Sequence, residues 1–424
     1  MSGGDEHAGT RLLNRPRALL TGVFCAFAAF LPVVGVVAPK GTVVLLLLVA
    51  VLAVPIHWWT HRRFPVPDLR IAIALSVLVV WCAIASAWSE DSVRSLVLAL
   101  RVAVIFTAGL LLIPIVAALD DAARKRIGLW LIAGFGLSLA LVAVETGLDY
   151  PMLRIFKTAE TGKEAVWFNR GAVALALLVW PVTALLWARG LGWKALALPA
   201  ALGVASLFLE SAAATLCLAA GVITVLLALC HRRAGLAITV AAGVLVFVAM
   251  PFAAREMHNN GWHQADWLAA SAQHRVEIWD FSVQRMAEKP LLGWGFDGSR
   301  HMGSLYPDPG DTGRGIAALH PHNAPLQIML ELGAVGAVIV LALLWFIAMR
   351  LDDVSGRSRT FGQVLFVAAL AVGSVAYGTW QNWWLALLLS TVLLVSLTSV
   401  TGKGNSRTLV WSGPLGSDSF MRRF

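Results

Sequence analysis

The chain has 424 residues, of which 58% are hydrophobic and 13% charged, with a mean hydropathy of +0.76. A soluble domain carries about 25% charged residues, so a soluble globular enzyme, a disordered chain and a fibrous repeat are excluded. The formal net charge of +9 comes from short basic clusters beside apolar runs. That is a membrane-topology signal and not a nucleic-acid surface.

Runs of about 18 or more residues without Asp, Glu, Lys or Arg read as membrane-spanning helices. They fall at 18–39, 41–59, 71–89, 102–119, 127–144, 171–188, 211–230, 234–254 and 332–349. The run 195–209 is slightly shorter and ends at Glu210. The uncharged stretch 360–402 is long enough for two crossings, split at the polar Gly378–Asn382 turn. The total is about twelve spans. The run from Ala18 is too long for a signal-peptide core and lacks an A-x-A site, so it reads as the first span. Cys25, Cys82, Cys217 and Cys230 all lie in or beside apolar runs and make no disulfide or zinc-ribbon pattern.

Clusters such as Arg15 and Arg17, Arg62 and Arg63, Arg124–Arg126, Arg232 and Arg233, and Arg357 and Arg359 place both termini in the cytoplasm. Residues 147–170 and 253–321 then lie outside. The expected division is spans one to nine over 1–252, a loop domain over 253–321, spans ten to twelve over 322–402, and a cytoplasmic tail over 403–424. Within the outer loop, 263–289 lacks Gly and Pro and has apolar residues three and four apart, so it reads as an amphipathic helix. Arg275 and Trp279 share a face of it. Gly293-Trp294-Gly295 follows as a turn, and 298–318 reads as irregular.

His320-Pro321-His322-Asn323 stands directly before the tenth span. Asn323 is a good N-cap, and Pro325 suits the first helical turn. His322 is therefore expected at the N-terminal mouth of a helix. There the dipole disfavours an imidazolium and attracts anions, which suits a neutral base acting on a phosphate-bearing substrate. Two charges fall inside spans, Arg101 and Glu331. Buried charges in a bilayer are costly, and the two are expected to pair, the alternative being that Arg101 faces the phosphates of the substrate. Gly333 and Gly336 are expected at a close helix contact. Trp58, Trp59, Trp262, Trp267, Trp380, Trp383 and Trp384 are expected mostly in the interfacial belt.

His322-Asn323, nine residues, then Gly333 and Gly336, resembles the H-[NSQ]-x9-G-x-x-G pattern of the bacterial O-antigen ligase family, which overlaps with O-antigen polymerases. Arg275 with Trp279 resembles the family's R-x-x-x-W segment. Pro290–Gly295 resembles its P-x-x-G-x-G turn, Asn169-Arg170 its N-R element, and Trp88-Ser89 with Asp91 its W-S-x-D turn. One departure is Ala212-Ala213-Ala214 after Ser211, where relatives often have an S-R pair.

The resemblance implies an all-α polytopic glycosyltransferase of the GT-C-like membrane type in the bacterial inner membrane. It implies transfer of a glycan from undecaprenyl pyrophosphate to a sugar hydroxyl of lipid A core at the periplasmic face, with inversion and without metal or other cofactor. His322 would be the base, and Arg170 and Arg275 would bind the donor pyrophosphate. Asn323, His320, Trp279 and Arg101 are supporting candidates. Membrane lipids are the surroundings, nucleic acid is no partner, and a monomer is expected. The absence of any Asp-x-Asp agrees with arginines carrying the phosphate charge. A polymerase using a lipid-linked acceptor shares this donor chemistry. A secondary transporter ranks lower, because no internal repeat is evident and the polar cluster is not at mid-membrane. A hydrolase lacks H-E-x-x-H and G-x-S-x-G.

Overall fold

The structure is a computed structural model that describes residues 4–148, 151, 164–208, 211–230, 232–305, 319–354 and 356–397. The tail 403–424, Glu210, most of 147–170 and most of 298–318 lie outside the described residues, and the described part of the expected irregular loop, 298–305, is helical. Within them, every regular element is helical.

The helices are α1 (Gly4–Val37), α2 (Gly41–His61), α3 (Leu69–Ala85), α4 (Ser92–Ala117), α5 (Asp121–Gly147), α6 (Glu164–Leu186), α7 (Ala197–Phe208), α8 (Ala212–Cys230) and α9 (Arg232–Asn259). They continue as α10 (Ala270–Glu288), α11 (Ala324–Asp353), α12 (Gly356–Gly373) and α13 (Asn382–Ser396). Helix starts follow side-chain capping. Asp68 accepts from the Arg70 and Ile71 amides, Asp91 from Arg94, Asp120 from Ala123 and Asn323 from Leu326.

Nine segments among the described residues are long and apolar enough to cross a membrane, against about twelve read from the sequence. The difference has identifiable sources. The runs 171–188 and 195–209 join as one segment, Phe168–Leu207. Helix α12 opens on a polar turn containing Arg357 and Arg359, and α13 has only 15 residues. The protein is a multi-pass membrane protein.

Helix α6 is the mast of the bundle. It touches α1, α5, α7, α8, α12 and α13, and Ala172 through Leu185 are buried. In a bilayer, apolar contact with lipid is as good as contact with another helix, so packing must hold the bundle together. Small residues permit it. A side chain at Gly221 would run into the Trp180 ring, and one at Gly134 into the Ala29 backbone.

The helix expected over 263–289 begins at Ala270, several residues after its expected start. Residues 262–264 form a separate turn behind Gly261, whose φ is +74°. Trp380, Trp383 and Trp384 are 4–5% exposed and belong to the core, not to a lipid belt. Trp58, Trp59, Trp262 and Trp267 are exposed.

Candidate active site

Gly333 does not serve close helix packing. It breaks α11, with φ +65° and ψ −165°. The break frees backbone groups that a continuous helix would consume. The carbonyls of Leu330 and Glu331 accept from the amides of Trp294 and Gly295, each at 2.9 Å. The amides of Ala334 and Val335 donate to the carbonyls of Pro290 and Leu291. The Leu332 carbonyl accepts from the Trp81 indole at 3.3 Å. The Pro290–Gly295 turn is thus stitched into the helix break. A Cβ on Gly293 would strike the Glu331 backbone, and one on Gly295 would strike Ser89. The glycines therefore bring together three segments distant in sequence: the turn at Ser89, the turn at 290–295 and the break in α11.

Glu331 sits at this junction with no exposed surface. Its Oε1 accepts from Ser299 Oγ at 2.5 Å and Gln327 Nε2 at 2.9 Å. Its Oε2 accepts from Trp380 Nε1 at 2.7 Å and the Asp297 amide at 3.1 Å. These four donors fill the carboxylate, so the expected Glu331–Arg101 pair does not form. Sequence shows the two charges but not the neutral donors that satisfy one of them.

Arg101 instead lines a cavity of about 710 Å³, together with Lys40, Arg94, Arg170 and Arg300. Asp297 is the one carboxylate among the lining residues. Five cations facing one acid make a site for a polyanion. Arg170 stands over the Trp383 ring at 5.8 Å. Its neighbour Asn169 accepts from Ser211 Oγ at 2.5 Å, which ties α6 to the start of α8.

The two histidines differ from each other in what they touch. His320 is a supporting candidate by sequence. It lines the cavity, packs against Gly378 and meets the His322 ring edge-on at 4.3 Å. Trp383 Nε1 can only donate, and it donates to Gln381 Oε1 at 2.7 Å. The Gln381 amide nitrogen therefore points at His320 Nε2, 2.9 Å away, and occupies its lone pair. Burial, with His322 beside it, lowers the His320 pKa to about 4.

His322 has φ +54°, uncommon for a residue with a side chain and frequent at functional positions. Its Nδ1 meets the Ala376 carbonyl, an acceptor only. The proton therefore sits on Nδ1, and Nε2 keeps its lone pair. Burial chiefly lowers the His322 pKa, and Arg275 and His274 add to that. The Ala376 hydrogen bond opposes the shift.

Arg275 lies close to His322 and is not among the residues lining the cavity. It is half-buried, and burial lowers its pKa from the usual arginine range. Tyr377 lies within electrostatic reach of both Arg170 and Arg275. Trp279 is buried and donates to the Pro321 carbonyl at 2.9 Å, fixing the backbone between the two histidines. Asn323 is fully buried at the cap. The structure thus gathers His322, His320, Arg170, Arg275, Trp279 and Asn323 around one junction, with Arg101 in the adjoining cavity. Among the described residues, no three His, Cys, Asp or Glu side chains are grouped to hold a metal ion.

Sequence reasoning did not single out Lys40, Arg94, Arg300, Asp297 or Gln381. A signal existed for the first two: each is an isolated basic residue in a short turn between apolar runs, away from the basic clusters.

Residues 195–341 match the family model described as O-Antigen ligase. A protein of Rickettsia bellii named "Putative polysaccharide ligase" is 32% identical over 132 residues, which is 30% of this chain and 32% of that protein. One of the same designation from Rickettsia typhi is 27% identical over 285 residues, 63% of this chain and 66% of that protein. The matches therefore span between a third and two thirds of these relatives' length.

Proposed function

We propose that this chain, which belongs to the O-antigen ligase superfamily, transfers a glycan from undecaprenyl pyrophosphate to a sugar hydroxyl of lipid A core. The site would face the periplasm from the bacterial inner membrane, with both termini cytoplasmic. The observation that carries this reading is a cavity with five cations beside a histidine whose Nε2 lone pair is available.

In this mechanism the donor pyrophosphate enters the cavity, where Arg170 binds phosphate oxygens through its planar fork. Arg275, close to His322, also engages the donor pyrophosphate, and the acceptor hydroxyl approaches His322. Nε2 takes the hydroxyl proton while the oxygen attacks the anomeric carbon. The bond to the pyrophosphate oxygen breaks, and undecaprenyl pyrophosphate leaves as an anion that the cations stabilise. The glycan is transferred with inversion, and the proton remains on His322 until solvent removes it. The fixed cations supply the charge that a divalent metal would otherwise supply.

The test is transfer by the purified protein in EDTA. Donor is offered with lipid A core in one reaction and with a second lipid-linked glycan in another. Product on lipid A core supports the ligase. Product only on the lipid-linked glycan makes the chain a polymerase, and recovery only with one added divalent metal removes the arginine mechanism.

A further inference from the structure

The cavity cations are not all held alike. Asp297 is 7% exposed on its side chain, and its Oδ2 receives Arg94 Nε at 3.2 Å and Arg300 Nε at 3.2 Å. Both arginines are gripped at Nε, so their terminal nitrogens remain free of Asp297. Both line the cavity. Arg94 comes from the first turn of α4, set by the Asp91 cap, and Arg300 from the turn after Phe296. Asp297 is the point where the two elements meet.

Asp297 is itself over-determined. Its φ is +57°, in the left-handed region. Its amide is fixed by Glu331 Oε2, and its neighbour Phe296 is fully buried against the Trp380 ring at 5.0 Å. The Ser299 hydroxyl, two residues on, is held by Glu331 Oε1. A strained residue persists only when its surroundings impose it.

By charge alone Asp297 is out of place, because a lone carboxylate in a polyanion site repels the ligand. The geometry points to a different role: Asp297 is a positioning residue that aims the terminal nitrogens of Arg94 and Arg300 at the anionic ligand, with Glu331 holding Asp297 in place. The inference rests on the anion reading of the cavity and adds the residues that shape it.

The charge argument and the positioning argument predict opposite signs for Asp297→Asn. Asparagine tolerates the left-handed region, so the turn keeps its backbone. The substitution makes the cavity more cationic by one unit. If only net charge mattered, the variant would bind anions more tightly. Under the positioning role the neutral amide oxygen holds both arginines more weakly than the carboxylate does, and their aim loosens.

The experiment is a calorimetric titration of the full chain in detergent with inorganic pyrophosphate. It compares wild type, Asp297→Asn, Arg94→Ala and the double variant. Asp297→Asn is expected to bind about ten-fold more weakly, since one charge-assisted hydrogen bond is worth about that factor. Arg94→Ala is expected to cost a similar factor in wild type and much less in the Asp297→Asn background, because residues acting as a unit are non-additive. In transfer assays, Asp297→Asn is expected to raise the donor KM more than it lowers kcat. Equal or tighter pyrophosphate binding by Asp297→Asn, or strictly additive losses, overturns the inference. Pyrophosphate binding uses neither glycan nor acceptor. Its failure in wild type would remove the anion reading itself, whereas normal binding without transfer would remove only the proposed reaction.

Discussion

Arginines stand at two regions of this molecule, and they are satisfied in opposite ways. Arg124, at the α4–α5 junction, donates to the carbonyls of Leu119 and Ala117, the free end of α4. Arg359, at the α11–α12 junction, donates to the carbonyls of Val354 and Asp352 and pairs with the Asp352 carboxylate. Each of these guanidiniums closes a helix C-terminus, where orphan carbonyls and the dipole favour a cation. Arg94, Arg101, Arg170 and Arg300 instead surround a cavity with a single carboxylate among its lining residues. The first pair completes the fold. The second group is unbalanced without a ligand. Burial runs the same way: Arg124 and Arg359 are buried, Arg170 and Arg300 half-buried, and Arg94 and Arg101 exposed.

The largest expected effect breaks the cavity end at its base. His322→Ala should lose about 10² to 10⁴-fold in transfer, the usual contribution of a general base, while undecaprenyl pyrophosphate still binds. Transfer within a few-fold of wild type would leave leaving-group stabilisation by the cations as the whole mechanism. The pH–rate profile sharpens the same point. The base acts in its neutral form, and burial lowers the His322 pKa. Activity should therefore be present above a pKa below the usual value of about 6.5 and fall as pH drops through it. A limb displaced upward would assign the titration to another group.

Next comes the junction that supports the cavity. Gly333→Ala places a Cβ against the Leu291 carbonyl at a positive φ. Strain of about 1–3 kcal/mol and overpacking of a similar size should add. A thermal unfolding scan should show a clearly lowered transition, and unchanged stability would mean that the break in α11 is not required.

Smaller effects separate individual side chains. Arg275→Ala should reduce donor use about ten-fold, the value of a hydrogen bond to a charged group, with lysine rescuing only partly because the fork is lost. His320→Ala should cost less. The His320 lone pair is occupied by Gln381, so its loss acts only through the packing of His322. A dead His320→Ala beside an active His322→Ala would reverse the assignment of the base.

Much of this arrangement could be read from sequence, for physical reasons. A bilayer excludes charge, so charge-free runs mark most helices, and Asn323 marks the start of α11 because an N-cap is a local device. Motif spacing brought His322, Arg170 and Arg275 forward. What sequence could not carry was partner choice. A lone glycine in a span reads as a packing site, and only the structure shows Gly333 exchanging its helix bonds with the 290–295 turn. Arg101 and Glu331 invite each other as opposite charges, until Ser299, Gln327 and Trp380 are seen to fill the carboxylate. Trp380, Trp383 and Trp384 look like belt residues because hydropathy cannot tell a bundle interior from an interface.

The comparison between the two regions is tested most directly by one titration. Undecaprenyl pyrophosphate is added to the wild-type chain, to Arg170→Ala and to Arg359→Ala, each checked for its folded fraction, and the Kd is read per folded molecule. Arg170→Ala should weaken binding about ten-fold or more, and Arg359→Ala should bind as wild type does while unfolding at a lower temperature. Wild-type affinity in Arg170→Ala, or an equal loss in both variants, would contradict the assignment of the cavity arginines to the ligand and the helix-closing arginines to the fold.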